Sequence, residues 1–342
     1  MMKFSRLFLK DIMMISGKKE DGHSIINSIA GGLKMPKVSV IIPVHNMYDY
    51  MDKCVESVRQ QTLTDIEIIL VENASTDNSF EKCKEYMAKD PRIKAIHLDV
   101  GDLSYARNQG LKHATADYVA FLDSDDYVSL DMYEHHYNFA IEHDLDIVYS
   151  NHVKVYDDRA PLYTYKESGE YKVMTPREML ILNFTHKIPV HSCTMILKRK
   201  FFDTMHFPEF SYYEDRRLTY KLINESRKVG YIDKAYYHYY QRSGSIVHTP
   251  SWKNYYDFAF AEKRRLEFIN GSDLFTSDEK KRLSKVVAET FLSKLRRANM
   301  KAKTHDQKVK SRKLISAMAL IPEGCKLKVK SRLYRKLIKV MY

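Results

Sequence analysis

The sequence predicts an α/β protein: an open, mostly parallel sheet flanked by helices, followed by a largely helical, basic C-terminal extension. Three observations carry that reading. Runs of strand length that are apolar at nearly every position recur between Val38 and Leu122, and a strand without polar alternation is one covered on both faces, as in a parallel sheet. Helical segments alternate with these runs at the spacing of βαβ units. The charge is also lopsided. Of a formal net +12, residues 280–342 carry 20 Lys or Arg against 3 Asp or Glu, a local +17 that leaves −5 for residues 1–279.

The elements follow in order. VSVIIPV, Val38–Val44, is the first strand. Asp49–Gln61 reads as a helix with Tyr50, Cys54, Val55 and Val58 on one side. The second strand, IEIILV (Ile66–Val71), runs into the polar turn Glu72-Asn73-Ala74-Ser75-Thr76-Asp77. A helix over Ser79–Ala88, a strand over Ile93–Leu98 and a helix over 104–114 come next. The strand Tyr118–Leu122 then ends in Asp123-Ser124-Asp125-Asp126, and a helix and strand over 130–143 and 146–155 continue the alternation. In such a sheet the polar turns fall at C-terminal strand ends, where open α/β sheets bind ligands. Beyond Lys154 the chain is less regular and rich in aromatics and histidines. From Trp252 it reads as largely helical, then strongly basic from Lys280 to the end.

Composition excludes several classes. Cys54, Cys83, Cys193 and Cys325 are scattered without CxxC spacing, so reduced thiols are expected rather than a disulfide scaffold or a cysteine zinc site. No run of 18 apolar residues predicts a spanning helix. MMKFSRLFLKDIMM begins basic, but Asp11 interrupts it and no small-residue cleavage site follows, which makes a poor signal peptide. Residues 1–35 are expected to form an amphipathic or flexible leader, with Met35 as an alternative start. A nucleic-acid binder more often spreads its cations over a folded domain, whereas these sit at one end.

Three constellations carry chemistry. In FLDSDDY, Phe121–Tyr127, a strand delivers three carboxylates into one loop. Their mutual repulsion asks for a cation or several donors, and hard divalent cations take one or two carboxylates together with substrate phosphates. A helix N-cap at Ser124 or Asp126 would explain one acidic residue, not three. The side chains of Glu72–Asp77 suit a base or ribose, and equally suit the capping of the helix behind them. In SYARNQG, Ser104–Gly110, Arg107 could grip a carboxylate or phosphate with its planar fork, or be an ordinary surface arginine.

Four segments in order, PKVSVIIPVHN (Pro36–Asn46), DIEIILVENASTDNS (Asp65–Ser79), LSYARNQGL (Leu103–Leu111) and ADYVAFLDSDDYV (Ala116–Val128), resemble glycosyltransferase family 2, enzymes of the GT-A fold. A weaker likeness extends to about residue 250. The resemblance implies a UDP-sugar donor with Pro43, His45 and Asn73 at the uridine, and with Asn46, Glu72, Ser75 and Asp77 in the same cradle. It implies Asp123 near the ribose and Asp125, with Asp123, holding Mn²⁺ or Mg²⁺ against the diphosphate. Two departures stand out: Glu72-Asn73 where aspartates are common, and Asp102 where glycine is usual. In the second half, Tyr213-Glu214-Asp215 matches the family's acidic pair. Asp215 is then the expected base, with Glu214 orienting the acceptor or a backbone group; a surface acidic pair ahead of a helix is the plainer reading. In YYHYYQRSGSI, Tyr236–Ile246, the resemblance puts Arg242 at the diphosphate, with Tyr240 where an arginine is common. His238 is either a metal ligand or a strand histidine. His191 and Ser192 are acceptor-side candidates.

The resemblance divides the chain into a leader (1–35), a nucleotide-sugar half of a GT-A domain (36–155), an acceptor and base half (156–250) and a helical basic region (251–342). It implies metal-dependent, inverting transfer of a hexose or N-acetylhexosamine onto a glycan or lipid-linked acceptor in a bacterial capsule, lipopolysaccharide or exopolysaccharide pathway. A nucleotidyltransferase would want a Lys/Arg-rich triphosphate loop after the first strand, and His45-Asn46-Met47-Tyr48 offers none. The other readings are a nucleic-acid- or partner-binding protein acting through the tail, and a catalytically silent GT-A scaffold, although no specific nucleic acid is expected. In the tail, Leu283, Val287, Phe291 and Leu295 recur at helical spacing, and LKVKSRLYRKLIKV interleaves basic and bulky apolar residues. That pattern suits shallow contact with an anionic bilayer, or packing of the tail on the catalytic body. A cytoplasmic protein, peripheral at the inner face of the bacterial membrane, is the expected setting.

Overall fold

A computed structural model describes residues 35–328 and Ser331, except 166, 243–249, 324 and 326. Residues 1–34 of the expected leader, the Gly244-Ser245-Ile246 stretch and most of LKVKSRLYRKLIKV lie outside the described residues. The elements are β1 (Val38–Val44), α1 (Met51–Arg59), β2 (Ile66–Asn73), α2 (Ser79–Lys89), β3 (Ile93–Leu98), α3 (Leu103–His113), β4 (Tyr118–Phe121) and β5 (Tyr127–Val128). They continue as α4 (Met132–Glu142), β6 (Ile147–Val155), β7 (Leu162–Tyr163), β8 (Tyr171–Met174), α5 (Pro176–Phe184), β9 (Met195–Lys198), α6 (Glu214–Glu225) and β10 (Val229–Tyr240). Helices α7 (Trp252–Gly271), α8 (Ser277–Lys301) and α9 (His305–Lys313) close the chain's described part.

One ten-stranded sheet runs in the order β3-β2-β1-β4-β9-β6-β10-β5, with β7 on β6 and β8 on β10. The first four strands of that order are parallel, as is β6 with β10. The rest is mixed: β9 enters antiparallel between β4 and β6, and β5 and β8 pair antiparallel with β10. The continuous apolar runs are explained by the period of two. Ile41, Ile69, Val71, Val119 and Phe121 enter the core on one face, while Val40, Ile42, Ile68, Leu70 and Ala120 enter the core on the other. Helix α3 lies close against this sheet, because a Cβ on its Gly110 would stand 2.5 Å from Ile41 Cγ2.

The C-terminal helices are well specified locally. Ser251, Thr276 and Thr304 each open a helix with a reciprocal capping box, to Asn254, Glu279 and Gln307. The apolar stripe Leu283, Val287, Phe291 and Leu295 is fully buried and joins the same core as Ile41. Of the two readings of the tail, this stripe goes to packing on the body, while Lys281, Arg282 and Lys285 of α8 are left exposed. No helix among the described residues is long and apolar enough to cross a membrane.

Candidate active site

The C-terminal ends of β1, β2 and β4 open into a cavity of about 670 Å³, whose far wall is formed by the start of α6, Arg242 and the start of α7. Pro43, His45, Asn46 and Asn73 line it on one side. His45 Nδ1 lies 2.6 Å from the Asn73 carbonyl oxygen, which ties the first strand-end loop to the second. Asn46 takes a left-handed backbone, φ 53°, a conformation asparagine tolerates better than most residues. Its Oδ1 accepts from Thr76 N at 2.8 Å, and its own N–H donates to Ser75 Oγ at 3.0 Å.

Ser75 and Asp77 are thus used between loops rather than on the cavity. Asp77 Oδ2 accepts from Tyr48 N at 3.2 Å and Oδ1 from Ser79 N at 3.0 Å. Glu72 is buried beneath them, accepting from Ser75 N at 2.5 Å and paired with His97 Nδ1. Of the Glu72–Asp77 turn, the cavity lining includes Asn73 alone.

From the acidic loop, Asp123, Ser124 and Asp125 face the cavity, and Asp126 points down. Asp126 accepts from the Tyr237 hydroxyl and from Tyr240 N (2.7 Å), and burial holds its carboxyl well above the usual range. Neither Ser124 nor Asp126 caps α4, whose N-cap is Asp131. Asp125 accepts from Arg242 Nε at 2.7 Å. Burial raises its pKa, the Arg242 contact opposes that shift, and the Asp123 charge adds to it.

Arg107 is no surface arginine. Only 1% of its side chain is exposed, and it donates from Nη2 to Asp123 Oδ1 at 2.7 Å and from Nη1 to Glu214 Oε1 at 2.6 Å. Asp215 Oδ1 lies 3.8 Å from the same guanidinium. The acidic pair opens α6 behind Tyr213, which takes φ 61°, and two carboxylates in a first helical turn sit well with the helix dipole. Consecutive positions point in different directions. Glu214 lines the cavity; Asp215 is outside that lining, its Oδ2 3.9 Å from His191 Nδ1. Burial, then the Asp215 charge, push the Glu214 carboxyl up to about 7 against the pull of Arg107.

His238 is not brought to the cavity. Its ring stacks on Tyr127 at 4.5 Å, Nε2 lies 3.0 Å from Ser129 Oγ, and burial lowers its pKa to about 4. Among the described residues no group of three or more His, Cys, Asp or Glu is arranged to hold a metal ion. The cavity does offer the carboxylates of Asp123 and Asp125, and two carboxylates completed by substrate phosphates are a donor set that Mg²⁺ or Mn²⁺ accepts.

Sequence reasoning did not anticipate Phe210, Ser211, Tyr212 and Lys253, which also line the cavity. Lys253 Nζ holds Phe210 O at 2.8 Å. The signal that was available is Asp102: its Oδ1 caps α3 through Tyr105 N (2.8 Å) and its Oδ2 accepts from Phe210 N (3.0 Å). A carboxylate at that position, where glycine is usual, clamps α3 to the Phe210–Tyr212 segment.

Known proteins share this architecture. The family model described as glycosyl transferase family 2 matches residues 39–204. The glycosyltransferase GlyG of Streptococcus pneumoniae serotype 4 is 30% identical over 220 residues, 62% of this chain and 73% of that protein. The glycosyltransferase GlyA of the same organism is 32% identical over 236 residues, 66% of this chain but only 34% of GlyA. The crystal structure of S. aureus TarS 1-349 in complex with UDP-GlcNAc matches with a TM-score of 0.67 at 22% identity, covering 89% of this chain and 91% of that one, a likeness of fold. With the strand-end cavity, its carboxylates and the match to GlyG all in agreement, the chain belongs to glycosyltransferase family 2.

Proposed function

We propose that the protein transfers a hexose or N-acetylhexosamine from a UDP-sugar, with inversion, to a glycan or lipid-linked acceptor in bacterial surface-polysaccharide synthesis. One observation carries the reading: a single cavity gathers His45 and Asn73, then Asp123 and Asp125, and reaches the Glu214-Asp215 pair through Arg107. The fold likeness to TarS, solved in complex with UDP-GlcNAc and with UDP, supports a UDP-sugar in that cavity.

In this reading Asn73 and His45 orient the base, and Asp123 takes the ribose. Arg242, beside Asp125, balances charge at the diphosphate. Asp125 and Asp123 are the residues that would hold Mn²⁺ or Mg²⁺, whose chemistry is to offset the charge developing on the leaving nucleoside diphosphate. An acceptor hydroxyl oxygen attacks the anomeric carbon from the side opposite the diphosphate. The bond from that carbon to the phosphate oxygen breaks, and UDP leaves with the electron pair. The hydroxyl proton passes to the Asp215 carboxylate, a role in which position counts before pKa. Arg107 keeps Glu214 and Asp123 fixed while this happens.

The exposed cations of α8 and α9 support attachment to an anionic bilayer by charge alone; in this reading the enzyme works at the inner face of the membrane, beside lipid-linked acceptors. The experiment for the reaction is a donor screen: UDP release from UDP-hexoses and UDP-N-acetylhexosamines with Mn²⁺ and a panel of saccharide acceptors. Acceptor-dependent UDP release is expected. Turnover of a different nucleotide's sugar with none from UDP-sugars would overturn the donor assignment.

A further inference from the structure

Residues 210–216 carry the acidic pair into the site along a backbone that does not hold itself. Phe210 and Tyr213 both take left-handed conformations, φ 53° and 61°, which bulky residues keep only where their surroundings impose them. Asp215 Oδ1 is buried and accepts no hydrogen bond among the described residues. The backbone beneath it therefore does most to place this side chain.

The constraint comes largely from α7. Lys253 Nζ donates to Phe210 O at 2.8 Å, and Asp257 Oδ2 accepts from Tyr212 N at 3.0 Å. The Tyr213 ring then meets that of Phe258, centroids 4.5 Å apart, and Arg216 Nη1 donates to Glu262 Oε1 at 2.7 Å. These four contacts come in the same order along both segments, so the strip is laid on α7 as on a template. The helix is itself anchored. Ala259, Leu266 and Ile269 lie in the main core, and Glu262 is shared with Arg265, which donates to Asn183 O of α5 at 3.1 Å. Asp257 and Glu262 are both buried, where a carboxylate needs partners, and each takes one of its partners from the strip.

We propose that Asp257 and Glu262 are positioning residues for the transfer, acting through Tyr212 and Arg216 to set the Glu214-Asp215 pair against the donor cavity. The proposal rests on the glycosyl-transfer reading and adds to it that the C-terminal helical region is part of the active site. Asp257 and Glu262 touch neither donor nor acceptor in this arrangement. They act on the rate because a base displaced by about 1 Å can lose about 10²-fold.

The test uses the full chain and three variants: Asp257→Ala, Asp257→Asn and Arg216→Ala. Acceptor-dependent UDP release gives kcat, calorimetry gives the UDP Kd, and limited chymotrypsin digestion with mass spectrometry gives the rate of cleavage after Phe210 and Tyr212. Asp257→Ala and Arg216→Ala should each lower kcat at least tenfold with the UDP Kd within twofold, which also shows that they fold. Cleavage in Asp257→Ala should be at least fivefold faster than in the wild type. Asp257→Asn still offers an acceptor to Tyr212 N, so it should keep kcat within threefold and the wild-type cleavage rate, a rescue that a purely structural acid would not show. Wild-type kcat in both alanine variants overturns the proposal. Wild-type cleavage in Asp257→Ala overturns it as well, and neither result touches the donor reading. A wild type that releases no UDP from any UDP-sugar overturns the transfer reading and the role in catalysis with it, while the cleavage comparison still decides whether α7 holds the strip.

Discussion

Arg107 Nη1 and Glu214 Oε1 are 2.6 Å apart although 107 positions separate them in the chain. The guanidinium that makes this bond also holds Asp123 at 2.7 Å, so one buried cation fixes the end of β4 relative to the start of α6. Removing it leaves acidic groups facing one another without a counter-charge, and breaking a buried pair from one side costs about 3–5 kcal/mol. Arg107→Ala is expected to lose stability on that scale in urea unfolding. Arg107→Lys should recover only part of it, because one ammonium cannot reproduce the two-armed contact.

Glu214 gives that link a pH dependence. Its folded pKa, about 7, stands above the ordinary carboxyl value of 4.5, chiefly through burial. Between those values the folded state binds more protons than the unfolded one, so the stability contributed by this group is fully present below about 4.5 and is lost as pH rises through about 7. The check is urea unfolding of wild type and Glu214→Gln from pH 4.5 to 8. The wild type should lose stability relative to the variant as pH rises; a pH-independent difference would contradict the assignment.

The two members of the acidic pair should separate kinetically. Asp215→Asn retains shape and hydrogen-bonding reach but cannot take a proton, and loss of a general base costs about 10²–10⁴ in rate. A fall of that size in kcat is expected, with the UDP Kd unchanged within twofold. A rate close to wild type would move the base elsewhere.

Asp125→Asn should act at the donor instead. It keeps the Arg242 side of the site filled but removes one of the two carboxylates available to a cation. Calorimetry with UDP should show that Mn²⁺ tightens binding to the wild type at least tenfold and has little effect on the variant. Equal Mn²⁺ dependence in both would remove Asp125 from the metal's donors.

What could be read from the chain followed the range of the forces involved. Val38–Val44 and Ile93–Leu98 have the expected limits in the structure because strand length and apolar pattern are local. The cavity at the strand ends was legible for the same reason. Partner identities were not. Arg107 reads equally well as a surface residue until Asp123 and Glu214 are brought to it, and Asp126 differs from Asp125 only because Tyr237 and Tyr240 arrive from β10. His238 was ambiguous until Tyr127 and Ser129 took up its ring and its nitrogen. The Leu283–Leu295 stripe showed that a face is buried, but not whether protein or lipid covers it.

That stripe yields the last prediction. Because Leu283, Val287, Phe291 and Leu295 sit in the main core, deleting 280–342 cannot test membrane attachment: it strips the core along with the charge. Phe291→Ala alone should cost about 3–5 kcal/mol, as large-to-small changes of a buried aromatic do. The exposed cations Lys281, Arg282 and Lys285 can be changed without touching the core. Each basic residue near an anionic surface contributes about 1 kcal/mol, so replacing all three by Gln should lower the binding constant for phosphatidylserine vesicles, read by sedimentation, by roughly two orders of magnitude at low salt. The variant should unfold at the same urea concentration as the wild type and release UDP in solution at the same rate. Unchanged vesicle binding would mean that this face of α8 does not meet the membrane.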